Sequence, residues 1–336
     1  MRFHKAYLPA GGYWSSPFCK WQGKFATLHT LKFAADVTTK ALAARDIPAA
    51  ELDSIVLGNT VPAKQIFYGA PWLGGLIGAP GLTGATVSQA CATSAIALAS
   101  AAARVECGGA EATAVILADR CSNGPHLLYP NPVAPGGRGD AEDWVWDSFS
   151  HDPWAKNSMV QTAENVAKEA GISREAQDSL ALHRHAQYKA GVEAGFFKRY
   201  MVAPYEVNPS GRRVIATVEM DEGVFPSTAA GLAKLKPVMP DGTVTFGTQT
   251  YPADGNAGLL VCSRERAAAW SRDGDPVQLI SYGEARVGKG LMAKAVVPAA
   301  RMALAAAGVG IQDCRVIKTH NPFAVNDIYF AREFGI

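Results

Sequence analysis

The stretch Ala92–Glu106 carries Ala95, Ile96, Ala97, Leu98, Ala99, Ala101, Ala102 and Ala103, so a helix built from it has apolar or very small side chains on every face. Such a helix has no side to give to water and is expected to be covered all round. It lies between two short apolar runs, Thr86–Ser88 and Thr113–Ala118, each read as a buried strand, and Gly108-Gly109 is placed to end it. The same grammar stands upstream, where a helical pattern from Leu31 to Ala44 leads to the apolar Ile55–Leu57 and then Gly58-Asn59-Thr60. Helices alternating with short apolar strands place the chain in the α/β class, with a mostly parallel sheet.

Between about 121 and 245 the composition changes to Pro, Gly, Trp and charge, which marks an insertion. It holds two helical stretches of its own, Ala163–Ala170 ended by Gly171, and one that follows Ser173 as N-cap and runs to about Ala190. Parallel-sheet grammar is expected to return from Thr243. Residues 40–61 match residues 302–323 at a constant offset of 262, pairing Ala41 with Ala303, Leu42 with Leu304, Ile55 with Ile317 and Asn59 with Asn321. Both copies run helix, strand, Asn-containing loop, so the chain reads as a duplication. The counterpart of the Cys91 helix would fall beyond Ile336, and the second half is therefore expected to be incomplete.

The 32 basic and 30 acidic side chains leave a formal charge of +2 with no long run of one sign, which gives no footprint for nucleic acid. No apolar run is long enough to span a bilayer, so no membrane partner is expected. Six scattered cysteines, with no C-x-x-C pair and no histidine at zinc spacing, read as reduced thiols in a cytoplasmic protein without a metal.

Cys91 stands where a strand gives way to that apolar helix. Unspent N–H groups and the positive helix end can lower a thiol pKa from about 8.5 and favour the reactive thiolate. A free cysteine is as often a small buried hydrophobe, and position by itself leaves both readings open.

Val87-Ser88-Gln89-Ala90-Cys91-Ala92-Thr93-Ser94-Ala95 resembles the nucleophile segment of the thiolases, and four further matches come after it in family order. Ala163–Ala167 with Ser173–Asp178 is similar to the loop-domain signature, and Leu232–Pro237 to the lysine–proline segment after it. Gly242–Gly247 with Asp254-Gly255 resembles the T-A-G-N-x-S-x-x-x-D-G stretch, and His320-Asn321-Pro322-Phe323-Ala324 takes the place of the N-E-A-F loop. The resemblance implies a duplicated, layered αβαβα fold with an inserted loop domain. It divides the chain into a nucleophile-bearing half (1–120 with 245–270), the inserted domain (121–244) and the start of a second half (271–336).

It also implies an acyltransferase in which Cys91 attacks a β-ketoacyl-CoA and passes the acyl group to a second coenzyme A, a substrate rather than a cofactor. His320 would then supply an oxyanion donor, Met159 and Phe323 would line the thioester pocket, and Gly247 and Thr250 would meet the CoA arm. Acyl-CoA substrates and a homodimer or higher homo-oligomer are the implied partners. The family histidine beside Met159 is Ser158 here, and the Gly-His-Pro and Cys-x-Gly loops that carry the family's remaining catalytic groups are not found, so the resemblance implies an activity impaired in this chain. A non-catalytic thiolase-like subunit that binds acyl-CoA or a partner is the rival reading. A ketoacyl-synthase-type enzyme would want two histidines in the second half, where only His320 stands. The run Gly283–Gly290 nearly spells a phosphate-binding loop, but Gly290 occupies the place of the magnesium-binding hydroxyl.

Overall fold

A computed structural model describes residues 1–336. Short strands β1 (Tyr7–Leu8), β2 (Tyr13–Ser15) and β3 (Cys19–Lys20) open the chain and lead to helix α1 (Thr30–Ala43). Strand β4 (Ser54–Gly58), helix α2 (Gly69–Leu76), strand β5 (Thr83–Val87), helix α3 (Thr93–Glu106) and strand β6 (Ala112–Arg120) come next. The insertion contributes the hairpin β7 (His126–Tyr129) and β8 (Asp140–Asp143), helices α4 (Trp144–Ser150), α5 (Met159–Ala170) and α6 (Arg174–Glu193), a second pair β9 (Tyr205–Val207) and β10 (Ala216–Val218), and helix α7 (Ala229–Ala233). Strand β11 (Ala253–Cys262), helix α8 (Arg264–Trp270), strand β12 (Val277–Gln278) and helices α9 (Val296–Ala307) and α10 (Ala324–Phe334) complete it.

The main sheet has the order β12-β1-β11-β6-β4-β5, with β2 and β3 also paired to β11. Only the two pairings of β4 are parallel; β11 runs antiparallel to β6 along its whole length, from Asp254 opposite Arg120 to Cys262 opposite Ala112. The mostly parallel sheet read from the sequence is therefore corrected to a mixed one. Local patterning marks β11 as an apolar strand but carries no information on the direction from which the chain re-enters after its insertion.

One face of the sheet packs on α1 and α2 through Leu31, Val37, Ile55, Leu57 and Ile116, the other on α3 through Val56, Ala97, Ala101, Val115 and Val261. The side chains of β4 and β6 are therefore buried on both faces, as their uninterrupted apolar runs require. Two expectations fail here. Strand β5 is an edge strand with no fully buried residue, and α3 is covered on its sheet side only, with Ser94 and Ala95 open to solvent and Ile96 and Leu98 half-buried. No second sheet lies against that side, because residues 279–336 form helices and loops but no strand ladder.

In the insertion, Ser173 caps α6 by accepting from the Ala176 N–H at 3.2 Å, and Gly171 ends α5 in the left-handed region at φ 59°. Helix α10 lies against α5 and α6, and Val166, Ile172, Val244, Phe323 and Val325 share a small core of their own. No helix is long and apolar enough to cross a membrane.

Candidate active site

The parallel strands β4 and β6 end side by side, and the residues just past their carboxyl ends, together with the β5–α3 turn, face one open cavity of about 790 Å³. Its walls include Gly58, Thr60, Asp119 and Cys121 from the strand ends, Cys91 from the turn, Trp144 and Phe149 from α4, Met159 from the start of α5, and His320. The carboxyl ends of parallel strands are where open α/β sheets place their sites, because loops diverge there and leave a crevice.

The turn that carries Cys91 is tightly held. Ala90 adopts φ 44°, a left-handed conformation that costs a residue with a Cβ about 1–2 kcal/mol. The buried Thr93 hydroxyl staples the turn, donating to the Ala90 carbonyl at 2.7 Å and accepting from the Gln89 N–H at 2.8 Å. Strand β4 passes directly beneath, so close that a Cβ on Gly58 would stand 2.7 Å from Leu117 and 2.9 Å from Thr93. At the start of α3, the Cys91 N–H points at its own sulfur and the Ser94 N–H has no backbone acceptor. The Ser94 N–H is free for an oxygen that develops charge next to the sulfur, and the Cys91 N–H lies beside the same spot.

The electrostatics differ from the sequence expectation. Solvent reaches the Cys91 side chain through the cavity mouth, yet the thiol pKa is raised. Crowding by protein raises it most, the Cys91 N–H opposes that, and the Asp119 carboxylate adds to the rise. The lowered thiol pKa expected from the helix end is thus corrected, since the one lowering contribution, from the Cys91 N–H, is outweighed. Cys121, on the same wall, is pushed up to about 12 by burial and by Asp119 and Asp254. Burial lowers the His320 pKa, so at neutral pH the imidazole is uncharged and offers one N–H as a donor.

Asp119, at the end of β6, accepts from the N–H groups of Thr60 and Val61 at 2.8 and 2.9 Å, from the Asn59 amide at 3.0 Å and from the Thr60 hydroxyl at 2.5 Å. Its pKa is nevertheless raised, because desolvation exceeds these bonds. Sequence reasoning missed Asp119, Thr60, Trp144, Phe149 and Asp152 as cavity residues. The one available signal was their position just past strand ends or in the Trp-rich insertion.

Of the residues singled out in the sequence, Cys91, Met159 and His320 meet in this cavity, whereas Gly247, Thr250 and Phe323 lie outside its walls. Phe323 is buried among Val166, Val244 and Val325, and Gly247 abuts Leu232 and Leu235. The Thr250 N–H donates to the Pro322 carbonyl at 2.7 Å, which ties the segment before β11 to the His320 loop. In the loop resembling a phosphate cradle, Glu284 accepts from Tyr282 and Gln89, and the Lys289 ammonium sits 3.9 Å over the Trp154 ring. No three His, Cys, Asp or Glu side chains are grouped to hold a metal ion.

Comparison with known proteins agrees with this architecture. Residues 14–265 match the family described as thiolase, N-terminal domain. The chain is 33% identical over 327 residues to the β-ketothiolase BktB of Cupriavidus necator, covering 94% of this chain and 80% of that protein. It is 31% identical over 329 residues to the acetyl-CoA acetyltransferase of Escherichia coli, covering 93% and 80% respectively. The crystal structure of human mitochondrial 3-ketoacyl-CoA thiolase in complex with CoA superposes with a TM-score of 0.88 at 26% identity, over 100% of this chain and 84% of that one. A mixed sheet with a cysteine on a strand–helix turn, together with that degree of likeness, defines the acyltransferase fold of this class. The chain belongs to the thiolase family.

Proposed function

We propose that the chain is a C-acyltransferase that moves the acyl group of a β-ketoacyl-CoA from carbon to the thiol of coenzyme A through a Cys91 acyl-enzyme, with no further cofactor. The Cys91 sulfur, having given up its proton, attacks the keto carbon. The carbon–carbon bond then breaks, its electron pair going to the acetyl-CoA enolate, whose carbon takes up the proton that left Cys91; a second coenzyme A thiol loses its proton and attacks the acyl carbon, and the departing Cys91 sulfur takes that proton back. Run in reverse, the same steps condense two acyl-CoA molecules. The N–H groups of Cys91 and Ser94 serve the oxyanion beside the sulfur once the acyl group is bound there, and the neutral His320 imidazole serves the enolate oxygen.

One observation carries this reading, the placement of Cys91 on a stapled turn with unspent amides and an imidazole around the same cavity. Mass spectrometry after exposure to acetyl-CoA or acetoacetyl-CoA tests it. The expected result is one acyl group on Cys91, absent in Cys91→Ser, with thiolysis in that variant reduced by at least about three orders of magnitude. An unmodified Cys91 under saturating acetoacetyl-CoA favours the non-catalytic, acyl-CoA-binding subunit, a reading to which the raised thiol pKa lends weight.

The unpaired outer edge of β5 supports a homodimer or higher homo-oligomer, and the six unpaired cysteines a cytoplasmic setting.

A further inference from the structure

His320 lies on a segment without secondary structure, between α9 and α10. No strand ladder fixes it, and the loop needs some other restraint if an imidazole is to stay in the cavity wall. The residues on either side of His320 supply one, since the Thr319 hydroxyl and the Asn321 amide both donate to the Asp327 carboxylate, the latter at 3.0 Å. Asp327 stands in the first turn of α10 with its side chain only 5% exposed. It is ion-paired with Arg184, in the middle of α6, which approaches with two nitrogens at 2.6 and 3.1 Å. The Arg184 guanidinium is held from its other side by Gln187 at 2.9 Å.

We propose that Asp327, neutralised by Arg184 of the inserted domain, is the positioning residue for His320, so that α6 fixes the oxyanion donor of a site built mainly on the other domain. The proposal rests on the acyl-transfer reading for the meaning of His320, but not for the geometry. A carboxylate that collects three donor groups in one buried spot can hold only one loop conformation, and both peptide neighbours of His320 are among them. Removing the acid frees the loop. Removing only the guanidinium leaves a buried charge without its partner, which is worse than removing both. The other titratable groups that line the same cavity are Cys91, Asp119, Cys121 and Asp152, and Lys318 stands two residues before His320 in the chain. Burial lowers the His320 pKa.

The test uses the full chain with labelled histidine, followed by nuclear magnetic resonance, together with carbethoxylation of His320. In Asp327→Ala the imidazole should titrate closer to the free value of about 6.5. It should also react at least about fivefold faster. Asp327→Asn, which keeps an acceptor for Thr319 and Asn321, should change both readouts less. R184M should perturb them more than the pair R184M with D327N, so that the second substitution rescues the first. Alkylation of Cys91 should stay within about twofold throughout, which separates loop release from general unfolding. If Asp327→Ala does not fold, the comparison of R184M with the double variant decides. An unchanged His320 titration and reactivity, with lowered stability alone, or a double variant no better than R184M, would overturn the proposal. Absence of an acyl group on Cys91 would instead sink the acyl-transfer reading and leave this geometry standing.

Discussion

Two segments of the chain begin with nearly the same sequence grammar and end differently. In the first, α1 leads to β4 and then to Asn59; in the second, α9 leads to residues 315–319 and then to Asn321. Ile55 of the first is fully buried, whereas the matched Ile317 is 37% exposed and its neighbour Val316 is 85% exposed. Both asparagine amides donate to an aspartate, Asn59 to Asp119 and Asn321 to Asp327. The supports differ in origin. Asp119 sits on β6, the strand hydrogen-bonded to β4, while Asp327 sits on the helix that comes after its own loop and is reached by Arg184 from the insertion. An apolar run becomes a strand only when another backbone is present to pair with it, and a loop without that ladder depends on side chains to hold its shape.

This contrast can be broken most decisively at the matched isoleucines. Ile55→Ala removes a buried side chain between the sheet and α1 and should lower the unfolding free energy by about 2–5 kcal/mol. Ile317→Ala should change it by less than about 0.5 kcal/mol. Urea denaturation measures both, and similar losses would mean that residues 315–319 are packed in solution as β4 is. Next in size, Asp119→Ala strands the Thr60 and Val61 amides, while Asn59 keeps its bond to the Ala118 carbonyl, with an expected loss of about 2–3 kcal/mol. Asp119→Asn should lose less.

Because the Asp119 charge opposes formation of the neighbouring thiolate, Asp119→Asn should also move the pH profile of Cys91 alkylation to lower pH. A profile that stays in place would show that Asp119 acts on the loop alone. Gly58→Ala forces a Cβ against Leu117 and Thr93 under the Cys91 turn and should cost about 1–3 kcal/mol, with slower alkylation of Cys91. The smallest change is expected from Ala90→Gly. Relief of the left-handed strain should outweigh the added chain entropy and stabilise the fold by about 0.5–1 kcal/mol, and a loss in thermal denaturation would mean that the turn differs in solution.

Much of this protein was legible before any coordinates. The strands β4 and β6, the helices α1, α3, α5 and α6, the Ser173 cap and the Gly171 stop arise from side-chain periodicity and capping chemistry, which act over a few residues. Cys91 was visible for the same reason, as a thiol at a strand–helix junction. Three other features depend on contacts between residues far apart in sequence, and only the tertiary structure decided them. These are the antiparallel return of β11, the open side of α3 and the sign of the Cys91 pKa shift. The Cys91 N–H that favours the thiolate is local to its own residue. The protein atoms and the Asp119 charge that outweigh it reach the sulfur only through folding, because electrostatic and desolvation energies depend on distance in space and not on separation along the chain.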